Sequence, residues 1–102
     1  MKIAYTLLTL SALCGTALSS HAQTTQVGQA GRLLASNCFQ CHGTNGKGPG
    51  FDSLAGKSAS ELYKELKEFK SGKEGNGIMA KHTMVYTDAQ MLQIAQWFST
   101  QK

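Results

Sequence analysis

Two cysteines and a histidine stand together in the run Cys38-Phe39-Gln40-Cys41-His42. The C-x-x-C-H spacing is typical of covalent attachment of a c-type haem. The two thiols, about one helical turn apart, can each add to one of two vinyl groups on neighbouring pyrrole rings. The histidine that follows directly is then placed under the porphyrin, where a ring nitrogen can bind the iron. The sequence therefore predicts one covalent haem c, with thioether links at Cys38 and Cys41 and with His42 as the proximal iron ligand.

Other uses of the same residues fit the sequence less well. A thioredoxin-like redox pair also has C-x-x-C spacing, but it expects a preceding strand in a βαβ unit, and no such pattern precedes the motif. A disulfide between Cys38 and Cys41 would close a very short loop and gain little chain entropy. A zinc site could recruit both cysteines with His42 and His82, but adjacent Cys41 and His42 cannot easily share one tetrahedral ion. A chance occurrence of the pattern is the remaining alternative.

A second group of possible iron ligands lies in the glycine-rich segment 72–86, which holds Met79, His82 and Met84. Ligation by methionine and histidine favours a raised reduction potential that suits the passage of one electron. Met84 stands shortly before Asp88, which leaves little chain for crossing the haem face and returning to the next helix. His82 would give a bis-histidine centre of lower potential, or it is a solvent-exposed loop residue. The residues alone leave these choices open.

The N-terminus has the pattern of a secretory signal peptide. Lys2 is followed by an apolar stretch and by a small-x-small cleavage site that ends at Ala22. We therefore expect residues 1–22 to be removed and residues 23–102 to form a soluble domain in a bacterial periplasm. A membrane anchor would need a longer apolar stretch, of ~20 residues. Lipid attachment at Cys14 would need a smaller residue before the cysteine.

Length and composition limit the functional class. The 102-residue chain has room for one domain, and its 10 Lys and Arg against 6 Asp and Glu give a mild positive charge. Arg32 is the only arginine, so no basic run points to nucleic acid. Charged residues at 16% and hydrophobic residues at 41% are typical of an ordinary soluble globule. These features exclude a multidomain enzyme, a coiled coil and a collagen-like fibre.

Amphipathic segments and glycine-rich loops must position the candidate ligands. Leu33 and Leu34 fall near the apolar face of a helix that leads into the cysteine motif. Capping boxes at Ser58 and Thr87 open two later helices. Loops as long as those between the helices need something to fill the centre of a compact domain, and a haem would do so. The predicted elements are a helix over 26–37, a loop over 43–57, a helix over 59–71, a loop over 72–86 and a helix over 88–100.

Several short stretches share the pattern of one known family. They are Gly31-Arg32-Leu33-Leu34-Ala35, Cys41-His42-Gly43, Leu54-Ala55-Gly56, Glu61-Leu62-Tyr63-Lys64, Phe69-Lys70-Ser71-Gly72, and Tyr86-Thr87-Asp88 leading into Trp97-Phe98. With the C-x-x-C-H motif they resemble the class I cytochromes c, especially short monohaem bacterial carriers and the cytochrome subunit of flavocytochrome c sulfide dehydrogenases. The resemblance implies an all-α fold of three main helices and long loops around one haem. It also implies that the first and last helices cross, with Gly28 or Gly31 contacting Trp97 or Phe98.

The resemblance further implies the distal ligand and the orientation of the proximal one. In the family the ligand methionine stands about nine residues before the aspartate that opens the last helix, which selects Met79 in this chain, with Met84 as the alternative. The proximal imidazole is usually held by a backbone carbonyl in the following loop, and Pro49 is the candidate. The family often has a proline just before the Leu-Ala-Gly stretch, where this chain has Asp52 and Ser53.

The function implied by the resemblance is electron transfer without enzymatic activity of its own. We expect a monomeric periplasmic carrier between a dehydrogenase donor and an oxidase or other cytochrome acceptor, without nucleic acid and without stable membrane insertion. One alternative is a dedicated electron-accepting subunit of a sulfide or sulfite dehydrogenase. Another is an open-site haem sensor or peroxidase. Lys47, Lys57, Lys73 and Lys81 lie in the loops expected to frame the exposed haem edge. Any one of them is explained by ordinary solubility, and as a group they could steer the carrier to an acidic partner.

Overall fold

The computed structural model describes residues 20–102, with side chains from residue 28 onward. The described residues form helices and turns and contain no strand, which confirms the all-α prediction. Residues 1–19, which include Cys14 and most of the expected signal peptide, lie outside the described part of the chain. Within that part, no helix is long and apolar enough to cross a membrane. The elements are α1 (Ser20–Ala35), a 3-10 turn (Ser36–Cys38), α2 (Phe39–His42), a second 3-10 turn (Thr44–Gly46), α3 (Ala59–Ser71), α4 (Ile78–Thr83) and α5 (Asp88–Ser99).

The first helix leads almost without interruption into the cysteine motif. α1 begins at Ser20 rather than at residue 26 and ends at Ala35. The hydroxyl of Ser36 donates to the carbonyl of Leu33 at 2.6 Å, and such a side-chain bond competes with the α-helical pattern. A tighter 3-10 turn follows and leads into α2. The C-x-x-C-H run is therefore itself largely helical, which keeps its two thiols about one turn apart.

α1 and α5 cross at Gly31. A Cβ atom at this buried glycine would lie 2.7 Å from the Gln93 carbonyl oxygen and 2.9 Å from the Cβ of Trp97, which is closer than real Cβ contacts. No atom lies within 4 Å of the equivalent position at Gly28. The missing side chain at Gly31 thus permits the close approach of the two helices. Of the pairs expected from the resemblance, the structure has Gly31 with Trp97.

α3 and α5 begin at the caps that the sequence predicted. The Ser58 hydroxyl accepts from the Glu61 backbone N–H at 3.1 Å, and Gly72 in the left-handed conformation, with φ 79°, ends α3. At α5 the capping box is complete. The Thr87 hydroxyl accepts from the Gln90 N–H at 3.2 Å, and the Gln90 side-chain carbonyl accepts from the Thr87 N–H at 2.9 Å. Both helix starts are therefore specified by local chemistry.

A short helix, α4, interrupts the segment 72–86, which the sequence predicted to be a continuous loop. The glycines of this segment all precede α4, the last being Gly77. Ala80 and Thr83 of α4 are buried. The Thr83 hydroxyl lies 3.0 Å from the carbonyls of both Met79 and Ala80, to which it can donate. The prediction of a continuous loop is wrong because burial of these side chains compensates for the low intrinsic stability of so short a helix.

The core lies where α5 meets α1, α2 and α3, and it is rich in aromatic side chains. Trp97 and Phe98 of α5 make an edge-on contact with 5.1 Å between ring centroids, and Phe39 of α2 lies 5.5 Å from Trp97. Met91 of α5 is fully buried and packs in this core. Leu33 was expected near the apolar face of α1 but is 74% exposed. The aromatic cluster thus supports α2, and with it the cysteine motif.

Candidate haem site

A cavity of about 640 Å³ lies between the cysteine motif, the loop after it, α3, α4 and α5. Its volume is within the roughly 300–1,000 Å³ that is typical of ligand pockets. Cys38, Cys41 and His42 border the cavity, and so does Met79 from α4. The fold thus brings the three motif residues and one candidate distal residue to the same cavity. Much of its apolar wall comes from Phe51, Leu54, Leu62, Leu66, Ile94 and Phe98.

The imidazole of His42 has a defined orientation. Its Nδ1 lies 2.8 Å from the backbone carbonyl oxygen of Asp52. Because a carbonyl oxygen only accepts hydrogen bonds, Nδ1 carries the proton and Nε2 carries the lone pair of the neutral ring. Histidines that ligate metals generally donate their other ring N–H to a protein oxygen in this way. The geometry therefore prepares His42 to bind a metal through Nε2.

The carbonyl that orients His42 belongs to Asp52 and not to Pro49, which the family resemblance had suggested. Sequence reasoning missed Asp52 because any residue at this position supplies the same backbone oxygen. Its side chain does something different: the exposed carboxylate pairs with Lys57 at 3.7 Å. The orienting contact is thus a property of the loop conformation, and no residue type signals it.

The loop that carries Asp52 is closed by backbone hydrogen bonds. The Gly48 N–H donates to the His42 carbonyl at 2.7 Å, and the Gly46 carbonyl accepts from two later N–H groups of the loop at 2.7 and 3.0 Å. Gly43 has φ 82°, and a Cβ there would lie 2.1 Å from the Gly48 carbonyl oxygen. Glycine is therefore required at position 43 both by the backbone conformation and by the close approach of the returning chain.

The two thiols differ in their surroundings. Cys38 is half-buried and Cys41 is exposed, and both are free thiols that border the cavity. Burial, with a smaller contribution from the neighbouring Cys41, raises the pKa of the Cys38 thiol to about 11. Cys38 therefore keeps its proton at neutral pH and lacks the thiolate character of a reactive redox pair. Addition of each S–H group across a vinyl double bond at the cavity would yield a thioether.

The three candidates for the distal position lie in different environments. Met79 is half-buried and borders the cavity. His82, about one turn later on α4, also borders the cavity but is exposed. Met84 is 68% exposed and is absent from the cavity wall that the described residues form. This placement favours Met79 over Met84 as a ligand within the cavity.

The charges around the cavity differ from the expected frame of lysines. Of Lys47, Lys57, Lys73 and Lys81, only Lys57 belongs to the cavity wall formed by the described residues. Lys73 instead donates to a carboxylate oxygen of Glu68 at 2.6 Å. Lys47, Lys73 and Lys81 are therefore not part of the wall that the described residues form. Carboxylates also line the wall, at Asp52, Glu61, Glu65, Glu68 and Glu74.

The chemistry of the cavity suits a haem better than the alternatives. Among the described residues, no group of three or more His, Cys, Asp or Glu side chains is placed to hold a metal ion by itself, which argues against the zinc site. The described residues also lack the strand that a thioredoxin-like pair expects. The apolar wall matches the hydrophobic faces of a porphyrin, and Cys38, Cys41 and His42 border the same space. These residues fit covalent haem c.

Comparisons with known proteins point the same way. The family model described as cytochrome c matches residues 28–102. The chain is 33% identical over 69 residues to the cytochrome subunit of sulfide dehydrogenase from Chlorobaculum tepidum, over 67% of this chain and 63% of that protein. It is 36% identical over 69 residues to the thiosulfate dehydrogenase electron acceptor of Thiomonas intermedia, over 63% of this chain and 32% of that protein. It thus spans less than two thirds of either relative.

A shorter relative is matched over nearly its whole length. Cytochrome c-554(548) of Halomonas halodenitrificans is 31% identical over 78 residues, which are 72% of this chain and 94% of that protein. The region of this chain that the family model matches, residues 28–102, includes the helices and loops that form the cavity.

Proposed function

The chain belongs to the cytochrome c family, and on that premise we propose that it carries single electrons between redox proteins of the periplasm through a His/Met-ligated haem. The family assigns covalent haem c as the cofactor and electron transfer as the activity, so the protein is not an enzyme in itself. The ligand set, the compartment and the partners are the parts that we propose.

The observation that carries the proposal is that Cys38, Cys41 and His42 border one apolar cavity. We assign the two thioether links to the cysteines and proximal ligation to Nε2 of His42. Asp52 supports this assignment, since its backbone carbonyl accepts a hydrogen bond from the Nδ1–H of His42 and fixes the ring. When bound, the haem supplies one-electron chemistry by cycling between ferric and ferrous iron. The chain fixes the ligands so that little rearranges when the electron arrives or leaves.

Met79 is our choice for the distal ligand. Its half-buried side chain borders the cavity, whereas that of Met84 is mostly exposed. Ligation by Met79 together with His42 would raise the reduction potential relative to ligation by two imidazoles. The apolar wall also limits access of water, which is a further control on the potential. If His42 and Met79 both held the iron, a substrate would have no route to it, and the bound haem would supply transfer of single electrons to and from other proteins.

Absorption spectra of the exported holoprotein test the ligand set. A methionine–iron bond in a ferric cytochrome c gives a weak far-red absorption band. We expect Met79→Ala to abolish this band and Met84→Ala and His82→Ala to retain it. Loss of the band from Met84→Ala alone would identify Met84 as the distal ligand. Mass spectrometry of the same samples should find one haem bound per chain, and a bare chain would refute attachment at Cys38 and Cys41.

A dedicated electron-accepting subunit is the second candidate function. It is favoured by two relatives named as a subunit of sulfide dehydrogenase and as an electron acceptor of thiosulfate dehydrogenase. Untagged protein purified from its native host distinguishes the two functions. A free carrier elutes at monomer size and accepts electrons from several donors. A subunit elutes with a larger flavin- or molybdenum-containing protein of a sulfur-compound dehydrogenase.

An open-site haem sensor or peroxidase is the third candidate, and a gas-binding assay separates it from a carrier. We expect the ferrous holoprotein not to bind carbon monoxide at neutral pH, because Met79 occupies the distal position. Ready binding would support an open site.

Sequencing of the exported protein tests the compartment in the same preparation, with Gln23 expected as the first residue after removal of residues 1–22.

A further inference from the structure

Tyr86 lies at the junction between the segment that carries Met79 and the rest of the fold. It stands between α4 and α5, is 8% exposed and borders the cavity. Its hydroxyl donates to the Leu34 carbonyl at 3.3 Å and accepts from the Asn37 side-chain amide at 2.9 Å. Its backbone carbonyl accepts from the ammonium group of Lys70 on α3. Polar contacts of this one residue therefore reach α1, the turn after α1, and α3.

The partners of the Tyr86 hydroxyl lie in residues 34–42, which include the cysteine motif and which we call the haem-attachment segment. Asn37 directly precedes Cys38, and Leu34 lies in the last turn of α1. In the other direction, the Tyr86 N–H donates to the carbonyl of Thr83, the last residue of α4, at 3.2 Å. A continuous path of hydrogen bonds and covalent backbone therefore joins the attachment segment to α4.

α4 depends on such contacts because it is short. It has six residues and no side-chain hydrogen bond at its N-cap. Residues 72–77 before it are exposed, and Met84 and Val85 after it are 68% and 75% exposed. A helix of this length is unstable by itself in water. Its position is thus set by its two buried side chains and by the anchor at Tyr86.

We infer that Tyr86 is a positioning residue for the distal ligand, whose hydroxyl holds α4 against the haem-attachment segment and so keeps Met79 at the iron. This inference rests on the proposed ligation by Met79. Removal of the hydroxyl leaves the ring packed. It lets the distal segment, which we define as residues 72–86 with Met79, move away from the iron more often. A competing ligand then binds more tightly in proportion to the open fraction. The net contribution of a hydrogen bond corresponds to roughly a 3- to 10-fold change in that fraction.

Titration of the ferric holoprotein with imidazole, followed by the Soret absorbance, tests the inference. We expect Tyr86→Phe to bind imidazole about 3- to 10-fold more tightly than the wild type and to keep its far-red band without imidazole. Tyr63→Phe is the matched control, since Tyr63 is a half-buried tyrosine on α3 whose ring lies under the Lys67 ammonium at 4.1 Å. It should keep the wild-type affinity. Wild-type affinity in Tyr86→Phe would overturn the inference.

Asn37→Ala attacks the same contact from the other side. We expect it to raise the imidazole affinity as well, and it decides the question if Tyr86→Phe does not accumulate as holoprotein. In the double variant the two increases should not add, because both substitutions remove one shared hydrogen bond. Fully additive increases would show that the residues act separately and would contradict the contact as the anchor.

Two further readouts separate this inference from its premises. A merely structural tyrosine would lower the melting temperature of Tyr86→Phe while leaving its imidazole affinity unchanged. Met79→Ala, titrated in parallel, should bind imidazole far more tightly than the wild type. If Met79→Ala binds imidazole more tightly but Tyr86→Phe keeps the wild-type affinity, the positioning role of Tyr86 is wrong and the ligand assignment stands. Wild-type affinity and a retained far-red band in Met79→Ala would instead refute the ligand assignment itself.

Discussion

The two sides of the haem cavity are built by different means. On the proximal side, backbone groups do the holding: the Gly48 N–H contacts the His42 carbonyl, and the Asp52 carbonyl contacts the imidazole. On the distal side, Met79 lies on a six-residue helix whose anchor at Tyr86 uses side chains. Backbone hydrogen bonds persist through most substitutions, whereas side-chain hydrogen bonds do not. The comparison predicts that His42, our proposed proximal ligand, is held rigidly and is vulnerable mainly at glycines, whereas the position of Met79, our proposed distal ligand, is easily changed by substitution.

Gly43→Ala should have the largest effect on stability, because it disrupts the backbone contacts that form the proximal side. The new Cβ would lie 2.1 Å from the Gly48 carbonyl oxygen at a φ of 82°. We expect the unfolding free energy of the holoprotein to fall by about 4 kcal/mol or more, or no holoprotein to form.

Gly50→Ala is the control for this substitution. Gly50 also has a positive φ, 115°, but no atom lies within 4 Å of its Cβ position. The unfolding free energy of Gly50→Ala should fall only by the added backbone strain, about 1–3 kcal/mol. Denaturant unfolding of both holoproteins measures the difference. Equal losses at the two glycines would contradict the close backbone approach as the reason for glycine at position 43.

Thr87→Ala should have an intermediate effect that distinguishes the distal side from the rest of the fold. It removes the cap of α5 directly after Tyr86, at a cost of about 1 kcal/mol. We expect it to raise imidazole affinity as well as to lower stability. Ser58→Ala removes the cap of α3 and should lower stability by a similar amount without changing imidazole affinity. Equal affinities in the two variants would contradict a loosely held distal segment.

The smallest effect concerns the ion pair at the start of the distal segment. The hydrogen bond from Lys73 lowers the pKa of Glu68 below its ordinary value of 4.5. Since the folded-state pKa is the lower one, the stabilisation is present above the unfolded value and is lost as the pH falls through the folded value. Glu68→Gln should therefore show a shallower fall in melting temperature on acidification than the wild type.

Glu68→Gln should change the melting temperature little at neutral pH, because exposed ion pairs of this kind contribute little to stability. Melting curves across the acidic range at low and high salt provide the measurement, and salt should shrink the difference between the two proteins. Parallel acid profiles for Glu68→Gln and the wild type would contradict a stabilising contact between Lys73 and Glu68.

Local chemistry explains what the sequence predicted correctly. Ser58 and Thr87 mark the starts of α3 and α5 because a cap involves residues within one helical turn. The crossing of α1 and α5 was anticipated at Gly28 or Gly31 through the family resemblance, and the structure distinguishes the two glycines by their distance to α5.

Contacts between distant residues explain what the sequence missed. α4 forms because Ala80 and Thr83 are buried by other parts of the chain, which a run without clear periodicity does not reveal. The Asp52 carbonyl orients His42, yet every residue type carries a carbonyl. The exposure of Leu33 likewise depends on which side of α1 faces α5 and not on the pattern of α1 alone.

The contact of Gly31 with Trp97 also has a consequence for the order of events during folding. It joins α1 and α5, the first and last of the described helices. Such distant contacts form late because a long stretch of chain must close first. Until α5 packs, Trp97 and Phe98 cannot contact Phe39, and the cysteine motif lacks the aromatic support of the core. The order of the cysteine motif therefore depends on the joining of two helices that stand far apart in the sequence.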